Sequence, residues 1–297
     1  MEPLAGRRIL FTGASSGIGR EAARMLAARG ARLALVARRA DRLHELAREL
    51  ADEGHPEPLS VAADLGEVGE AVKVAAQAEE RLGGIDVLVN NAGASVQGLT
   101  WVAGDRPEAR SVLETNLWSP LALVAAVAPT MLERGEGVIV NTGSMVQASP
   151  FPHLGHYSAS RAALASITQS MRLELGPRGV RVVELALGPV DTAGSTENRL
   201  LRGGSRWLDG RPGIGRLEDA ARVLVKAIEG PAQGVVFYPA VMRWVHAFPG
   251  LGRRHAMAAA RHTDLADASI RVGGSAGSPE VRAARERWER DHAALTS

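Results

Sequence analysis

In the stretch Tyr157-Ser-Ala-Ser-Arg161 a phenol and a guanidinium stand four residues apart. On a helix that spacing puts both side chains on one face. A phenol ordinarily ionises near pH ~10, and a fixed cation beside it favours the phenolate. Such a phenol can hand a proton to an oxygen that is gaining electrons, and take it back. Ser144, thirteen residues earlier, carries a hydroxyl that could hydrogen-bond the same oxygen. The set suits acid–base chemistry on a carbonyl or an alcohol. Arginine holds its charge at every ordinary pH, so it cannot itself pass on a proton. His153 and His156 lie just before Tyr157. Each could be an alternative proton donor or a wall of the cleft, and the wall is the expectation.

A second cluster, near the N-terminus, could hold a ligand. Gly13-Ala-Ser-Ser-Gly17-Ile-Gly19 follows the β-like run RILFT, Arg8 to Thr12, and precedes an amphipathic helix. Glycines at a strand-to-helix turn let a pyrophosphate approach the backbone, and the helix N-terminus supplies free N–H groups. The next strand ends in Val36-Ala37-Arg38-Arg39. No acid stands there to accept a hydrogen bond from a ribose 2′-hydroxyl, while the planar fork of arginine suits a 2′-phosphate. NADP is therefore the expected cofactor, with NAD as the alternative.

These residues need a frame. Strands are expected at Arg8–Thr12, Arg32–Ala37, Leu59–Asp64, Ile85–Val89, Gly137–Thr142, Val180–Leu185 and Val235–Tyr238. Helices are expected between them, at Arg20–Arg29, Arg39–Glu53, Val68–Leu82, Pro107–Leu132, Tyr157–Leu175 and Glu218–Glu229. The near-continuous apolar strands are those of a sheet covered on both faces. Strand–helix alternation in this order gives a doubly wound, seven-stranded parallel sheet. In the fourth interval Leu113, Leu117, Leu121, Val124, Ala128 and Met131 form one helical stripe, which needs a partner surface.

Gly188 to Gly215 breaks the rhythm and is expected to be a lid over the site. Residues 1–239 are read as one domain and 240–297 as a helical C-terminal extension, with short helices at Ala240–Phe248 and Leu251–His262. Gly273 to Pro279 is read as a flexible link and Pro279 to Ala294 as a charged helix anchored by Trp288.

The totals narrow the function. The chain has 297 residues, 45% of them apolar, enough for one large core. There is no cysteine, which excludes disulfides, thiolate metal sites and a cysteine nucleophile. No metal site is expected. A net charge of +2 does not point to nucleic acid. Of the 35 basic residues only Lys73 and Lys226 are lysine, so an arginine at any one position is partly a matter of composition. No segment reads as a signal peptide, and the uncharged run Thr115–Leu132 reads as a buried helix, so a cytoplasmic location is expected.

Taken jointly, the pattern resembles the short-chain dehydrogenase/reductase (SDR) family from about Arg7 to Pro239. The matching residues are Thr12–Gly19, Asp64-Leu65, Asn90–Gly93 (NNAG), Asn116, Ser144 and Tyr157. Two positions depart from the family: Arg161 stands in place of lysine, and Leu187-Gly188 in place of Pro-Gly. The resemblance implies a Rossmann fold and hydride transfer between a nicotinamide and a carbonyl or secondary alcohol. It implies that Gly13, Ser15, Ser16, Gly17, Ile18 and Gly19 hold the cofactor, and that Asp64 and Leu65 flank its adenine. Asn90, Ala92 and Gly93 would line it, and Gly188, Val190 and Thr192 would meet the nicotinamide. Tyr157 would be the acid/base and Ser144 would orient the oxygen. Asn116 would support a water network, and Arg161 would act as the cation that also holds the ribose. A homodimer or homotetramer is implied.

The cleft is expected to be lined by Ser95–Gly98, Met145–Leu154 and Ala193–Gly215, with Trp207 and Leu208 closing over it. Its apolar residues favour a fairly hydrophobic substrate. Val241, Trp244, Val245 and Phe248 share one helical face with Arg253 and Arg254 close by. That face could meet a membrane surface, but a cover for the cleft or a subunit interface is the expectation. The alternative to an enzyme is a scaffold that binds NADP as a sensor or partner subunit without turnover, because of Arg161.

Overall fold

The computed structural model describes residues 4–191, 215–231, 233–250 and 270–273, with isolated positions at 253, 254, 257, 282, 283, 286, 287, 290 and 291. Seven parallel strands form one sheet: β1 (Arg8–Thr12), β2 (Arg32–Ala37), β3 (Leu59–Ala62), β4 (Val87–Asn90), β6 (Gly137–Ser144), β7 (Val180–Leu187) and β8 (Gly234–Tyr238). Their order in space is β3-β2-β1-β4-β6-β7-β8. The chain winds outward from β1 in one direction, then from β4 in the other. The strand order therefore reverses beside β1, where open α/β sheets bind ligands.

Alternation along each strand sorts the core into two layers. Ile9 and Phe11 of β1, Leu33 and Leu35 of β2 and Val183 and Leu185 of β7 face α1 (Gly17–Ala27), α2 (Ala40–Asp52) and α8 (Leu217–Glu229). Leu10, Val36, Leu88, Ile139 and Val182 face the other way, toward α3 (Glu70–Leu82), α6 (Ser119–Arg134) and α7 (Gly155–Leu175). Leu123, Val127 and Met131 of α6 are fully buried there, each worth roughly 1.5–3 kcal/mol.

The interval expected as one helix from Pro107 divides. Residues Pro107–Leu113 form α5, Glu114–Trp118 make a π-helical turn, and α6 follows without a break. A π turn swings the side chains off the α-helical register and is frequent at functional sites. The apolar stripe needs no partner molecule for most of its length: Leu117, Val124, Ala128 and Met131 are buried within the chain itself. Trp118 is left outside, 55% exposed, with Val68 and Val72 exposed on and just before α3.

Periodicity gave no sign of β5 (Ser95–Gln97). It pairs antiparallel with β9 (Arg271–Gly273), Val96 opposite Val272, in a separate two-stranded ribbon. Ile270 joins Ala94, Val96, Ala109 and Val112 in a small apolar cluster beneath it. Gly273, expected to open a flexible link, is thus the last residue of a strand. The short helix α4 (Thr100–Ala103) was equally silent in the sequence. The helix expected at Ala240–Phe248 is present as α9 (Met242–Ala247). Thr192, the lid residues Ala193–Ile214 with Trp207 and Leu208, and Trp288 lie outside the described residues, as does most of 251–269 and 274–297.

Candidate active site

Glycines shape the first half of the site. Gly13 has φ +76°, and a Cβ there would stand 2.9 Å from the backbone of Ala92. At Gly19 a Cβ would reach 2.7 Å from Asn91 Nδ2. The loop is held from the opposite strand. Thr12 Oγ1 accepts from the N–H groups of Asn91 and Ala92, both at 3.0 Å, and Asn91 Nδ2 donates to the Thr12 carbonyl at 3.1 Å. Thr12 is a site residue that the sequence reading left unassigned beyond its place in the matched motif; Asn91 lies in the NNAG stretch expected to line the cofactor and brace the sheet.

Ser16 caps α1 in extended conformation, yet its side chain makes no capping hydrogen bond and no acid stands in the first turn. The N–H donors of that turn therefore open on the glycine cradle, the arrangement that binds a phosphate. Arg39 arches over the same turn. Its Nη2 donates to Ser16 Oγ at 2.8 Å and Ser15 Oγ at 3.1 Å. Burial, then the charges of Arg42 and Arg38, lower the pKa of Arg39, so an anion beside it would relieve the site. Arg38 lies 3.8 Å from Asp64, whose other oxygen accepts from the Gly66 N–H at 2.9 Å. The carbonyl of Leu65 accepts from Ser119 Oγ at 2.8 Å, which ties this loop to the start of α6.

The second half of the site is built around α7. Arg161 is 5% exposed, and its Nη1 donates to the Thr142 carbonyl at 2.9 Å. Its Cζ lies 5.4 Å from the centroid of the Tyr157 ring. Its other terminal nitrogen fills the space where a side chain on Gly93 would go. The four-residue spacing thus does what helical geometry requires, and a cation stands beside the phenol.

Asn116 is fully buried on the π turn. Its Oδ1 accepts from the Ala94 N–H at 2.9 Å, and its Nδ2 donates to the Ala94 carbonyl at 2.9 Å and to Ser160 Oγ at 3.0 Å. Both amide protons are committed, so the side chain is a strut between the NNAG loop and α7. Ser160 Oγ passes the connection on to the Tyr157 carbonyl at 2.8 Å. Asn90 is held similarly, donating to Asn141 Oδ1 at 2.9 Å, while Asn141 donates to Thr168 Oγ1 at 2.9 Å.

Ser144 ends β6, in register with Leu187 of β7. Its Oγ accepts from the Val146 N–H at 3.5 Å, so the hydroxyl proton is left to donate elsewhere. His156 is turned aside, with Nε2 2.6 Å from the Gly104 carbonyl. His153 gives its carbonyl to the Gly98 N–H at 3.2 Å. Gly188 donates to the Tyr238 carbonyl at 2.6 Å, and a Cβ on it would meet Met242 of α9 at 2.8 Å. Val190 is buried and bridges to Gly215.

The model of the short chain dehydrogenase family matches residues 7–201. The chain belongs to the short-chain dehydrogenase family. Its relatives in this family are oxidoreductases, and the chain is one too. Short-chain dehydrogenases that resemble it include a fatty acyl-CoA reductase of Mycobacterium tuberculosis, 33% identical over 86% of this chain and 84% of that one. The 11-beta-hydroxysteroid dehydrogenase A of Sesamum indicum is 34% identical over 82% of this chain and 75% of that one. Among solved structures, a short-chain dehydrogenase from Sphingobium yanoikuyae in complex with NADPH superposes with a TM-score of 0.70. It is 30% identical, over 89% of this chain and 98% of that one.

Proposed function

We propose that this short-chain dehydrogenase uses NADP(H) and interconverts a carbonyl and a secondary alcohol on a fairly hydrophobic substrate. The observation that carries the reading is the buried Arg161 guanidinium 5.4 Å from the Tyr157 ring, on the helix that follows the Ser144 turn. In reduction the Tyr157 hydroxyl gives its proton to the carbonyl oxygen while the Ser144 hydroxyl donates a hydrogen bond to it; oxidation reverses both. The dinucleotide, when bound, supplies or accepts the hydride. Its phosphates fit the glycine cradle and the open first turn of α1, and its 2′-phosphate fits Arg39, Arg38 and Ser15. That a structural relative was solved with NADPH supports the same choice. Asp64, Leu65, Asn90, Ala92, Gly93, Gly188, Val190 and Thr192 would complete the cofactor's surroundings.

Arginine cannot release a proton, so residue 161 would not itself replenish the Tyr157 proton; it would hold a fixed charge beside the phenol. The hydrophobic character of the substrate rests on the apolar residues Met145, Val146, Phe151 and Leu154 that follow Ser144 in the sequence, and on relatives whose names carry an acyl-CoA and a steroid. A homodimer or homotetramer in the cytoplasm is part of the proposal. The exposed Trp118, Val68 and Val72, with Leu173 on α7, supply apolar surface for it.

The test titrates the protein with NADPH and NADH, then assays it against ketones and alcohols of graded length. NADPH should bind at least about ten times more tightly than NADH, and Arg39→Ala should remove the difference. Tight NADPH binding with no turnover on any substrate, restored in Arg161→Lys, would show instead a scaffold that binds the dinucleotide without reacting.

A further inference from the structure

Strand β7 runs Val180-Arg-Val-Val-Glu-Leu-Ala-Leu187, and Glu184 stands in its buried middle. The residue is 1% exposed, with Asn141 of β6 on one side and Val235 of β8 on the other. A carboxylate in such a place costs folding energy unless it is engaged. One oxygen is: Gln147 Nε2 donates to Glu184 Oε1 at 2.6 Å. Among the described residues, Oε2 has no hydrogen-bond partner.

The connection continues to the reacting centre. A carboxylate only accepts, so it fixes which end of the Gln147 amide faces it. The amide oxygen is thereby turned to the Ser144 N–H, 3.4 Å away, and the glutamine closes a capping box with Ser144 around the turn Met145–Gln147. That turn carries the Val146 N–H which Ser144 Oγ accepts. Room for the arrangement comes from Gly143, where a Cβ would stand 3.0 Å from both Gln147 Oε1 and Glu184 Oε1.

We propose that Glu184 is a positioning residue for the carbonyl-binding serine, acting through Gln147. It holds the turn so that the Ser144 hydroxyl keeps its proton for the substrate oxygen. The proposal rests on the reductase reading of the site and adds to it a carboxylate that never touches substrate.

The experiment uses the full chain, with and without NADPH. Glu184→Ala and Gln147→Ala should each lower kcat by about 10- to 100-fold, with NADPH affinity within about two-fold of wild type. Glu184→Gln, whose amide oxygen can still accept from Gln147, should recover most of that loss. In a Ser144→Ala background, Glu184→Ala should cost no further rate, because the two act as one unit. A full additional loss there, or an unchanged kcat in Gln147→Ala, overturns the proposal. Hydrogen exchange of the Met145–Gln147 amides in the NADPH complex decides it independently of turnover: exchange should quicken in Gln147→Ala and Glu184→Ala, and unaltered protection in both sinks it. If wild type turns over no substrate while these amides quicken, the reductase reading has failed and the positioning one has not.

Discussion

Arg161 donates from Nη1 to the carbonyl oxygen of Thr142 at 2.9 Å. The bond reaches from α7 to the end of β6 and fixes the guanidinium between Gly93 and the Tyr157 ring. Arginine at this place is therefore a held cation, not a loose surface charge. Arg161→Met should lower kcat by about 100-fold or more. Arg161→Lys keeps the charge and should stay within about ten-fold of wild type. Steady-state kinetics with NADPH and a saturating ketone, beside NADPH titrations, separate the effect on chemistry from that on binding.

Gly93 leaves the space that the guanidinium occupies. Gly93→Ala should push Arg161 off its carbonyl without unfolding the sheet. A drop in kcat of about ten-fold or more is expected, with an intact far-ultraviolet circular dichroism spectrum. The same substitution in an Arg161→Lys chain should do less harm, because the slimmer ammonium leaves room for a methyl group. Equal damage in both backgrounds would show that the alanine acts on the loop and not on the cation.

Asp86, between α3 and β4, receives Arg8 Nε at 2.9 Å and the Arg8 N–H at 2.9 Å, with Arg134 at 3.7 Å. Burial alone would raise its pKa, but the bonds and charge of Arg8, helped by Arg134, outweigh burial and hold it below the usual value. A depressed folded pKa gives stability that is present above the ordinary carboxylate range and lost as pH falls through the folded value. Asp86→Asn should therefore cost about 1–3 kcal/mol at pH ~7. Thermal melts of both chains should converge as the pH is taken below ~4.

Glu114 shows the opposite sign. On the π turn beside Asn116, burial and then the charge of Glu67 raise its pKa. Ionising it costs stability that grows as pH rises above the unfolded carboxylate value. Glu114→Gln should melt at a higher temperature than wild type at pH ~7–8 and at the same temperature near pH ~4. A variant that is less stable at neutral pH would mean the carboxylate serves a partner in the native site.

Local patterns carried most of the frame. The apolar runs of β1, β2, β4 and β7 announce strands covered on both faces, and the glycines of 13–19 announce the turn that β1 feeds into α1. Tyr157 and Arg161 meet because a helix brings every fourth residue together, and nothing distant is needed. The π turn at Glu114–Trp118 was hidden, because its apolar residues keep a helical rhythm and the bonds of Asn116 to the backbone of Ala94 leave no periodic trace. The ribbon of β5 and β9 was hidden for a related reason: two three-residue strands far apart in sequence have no periodicity to read. Glu184 did leave a trace, a single acid in a strand that is apolar apart from it and Arg181, and the structure supplies Gln147 as its partner.

The ribbon also has a consequence for how the molecule is made. β5 emerges just after β4, but β9 follows the whole of the seven-stranded sheet. A ribosome delivers the dinucleotide cradle, the α7 pair and the sheet that holds them before it delivers the strand that Ser95–Gln97 must pair with. During synthesis, then, the rim beside the NNAG loop waits for residues 271–273 until after the strands of the seven-stranded sheet have been delivered.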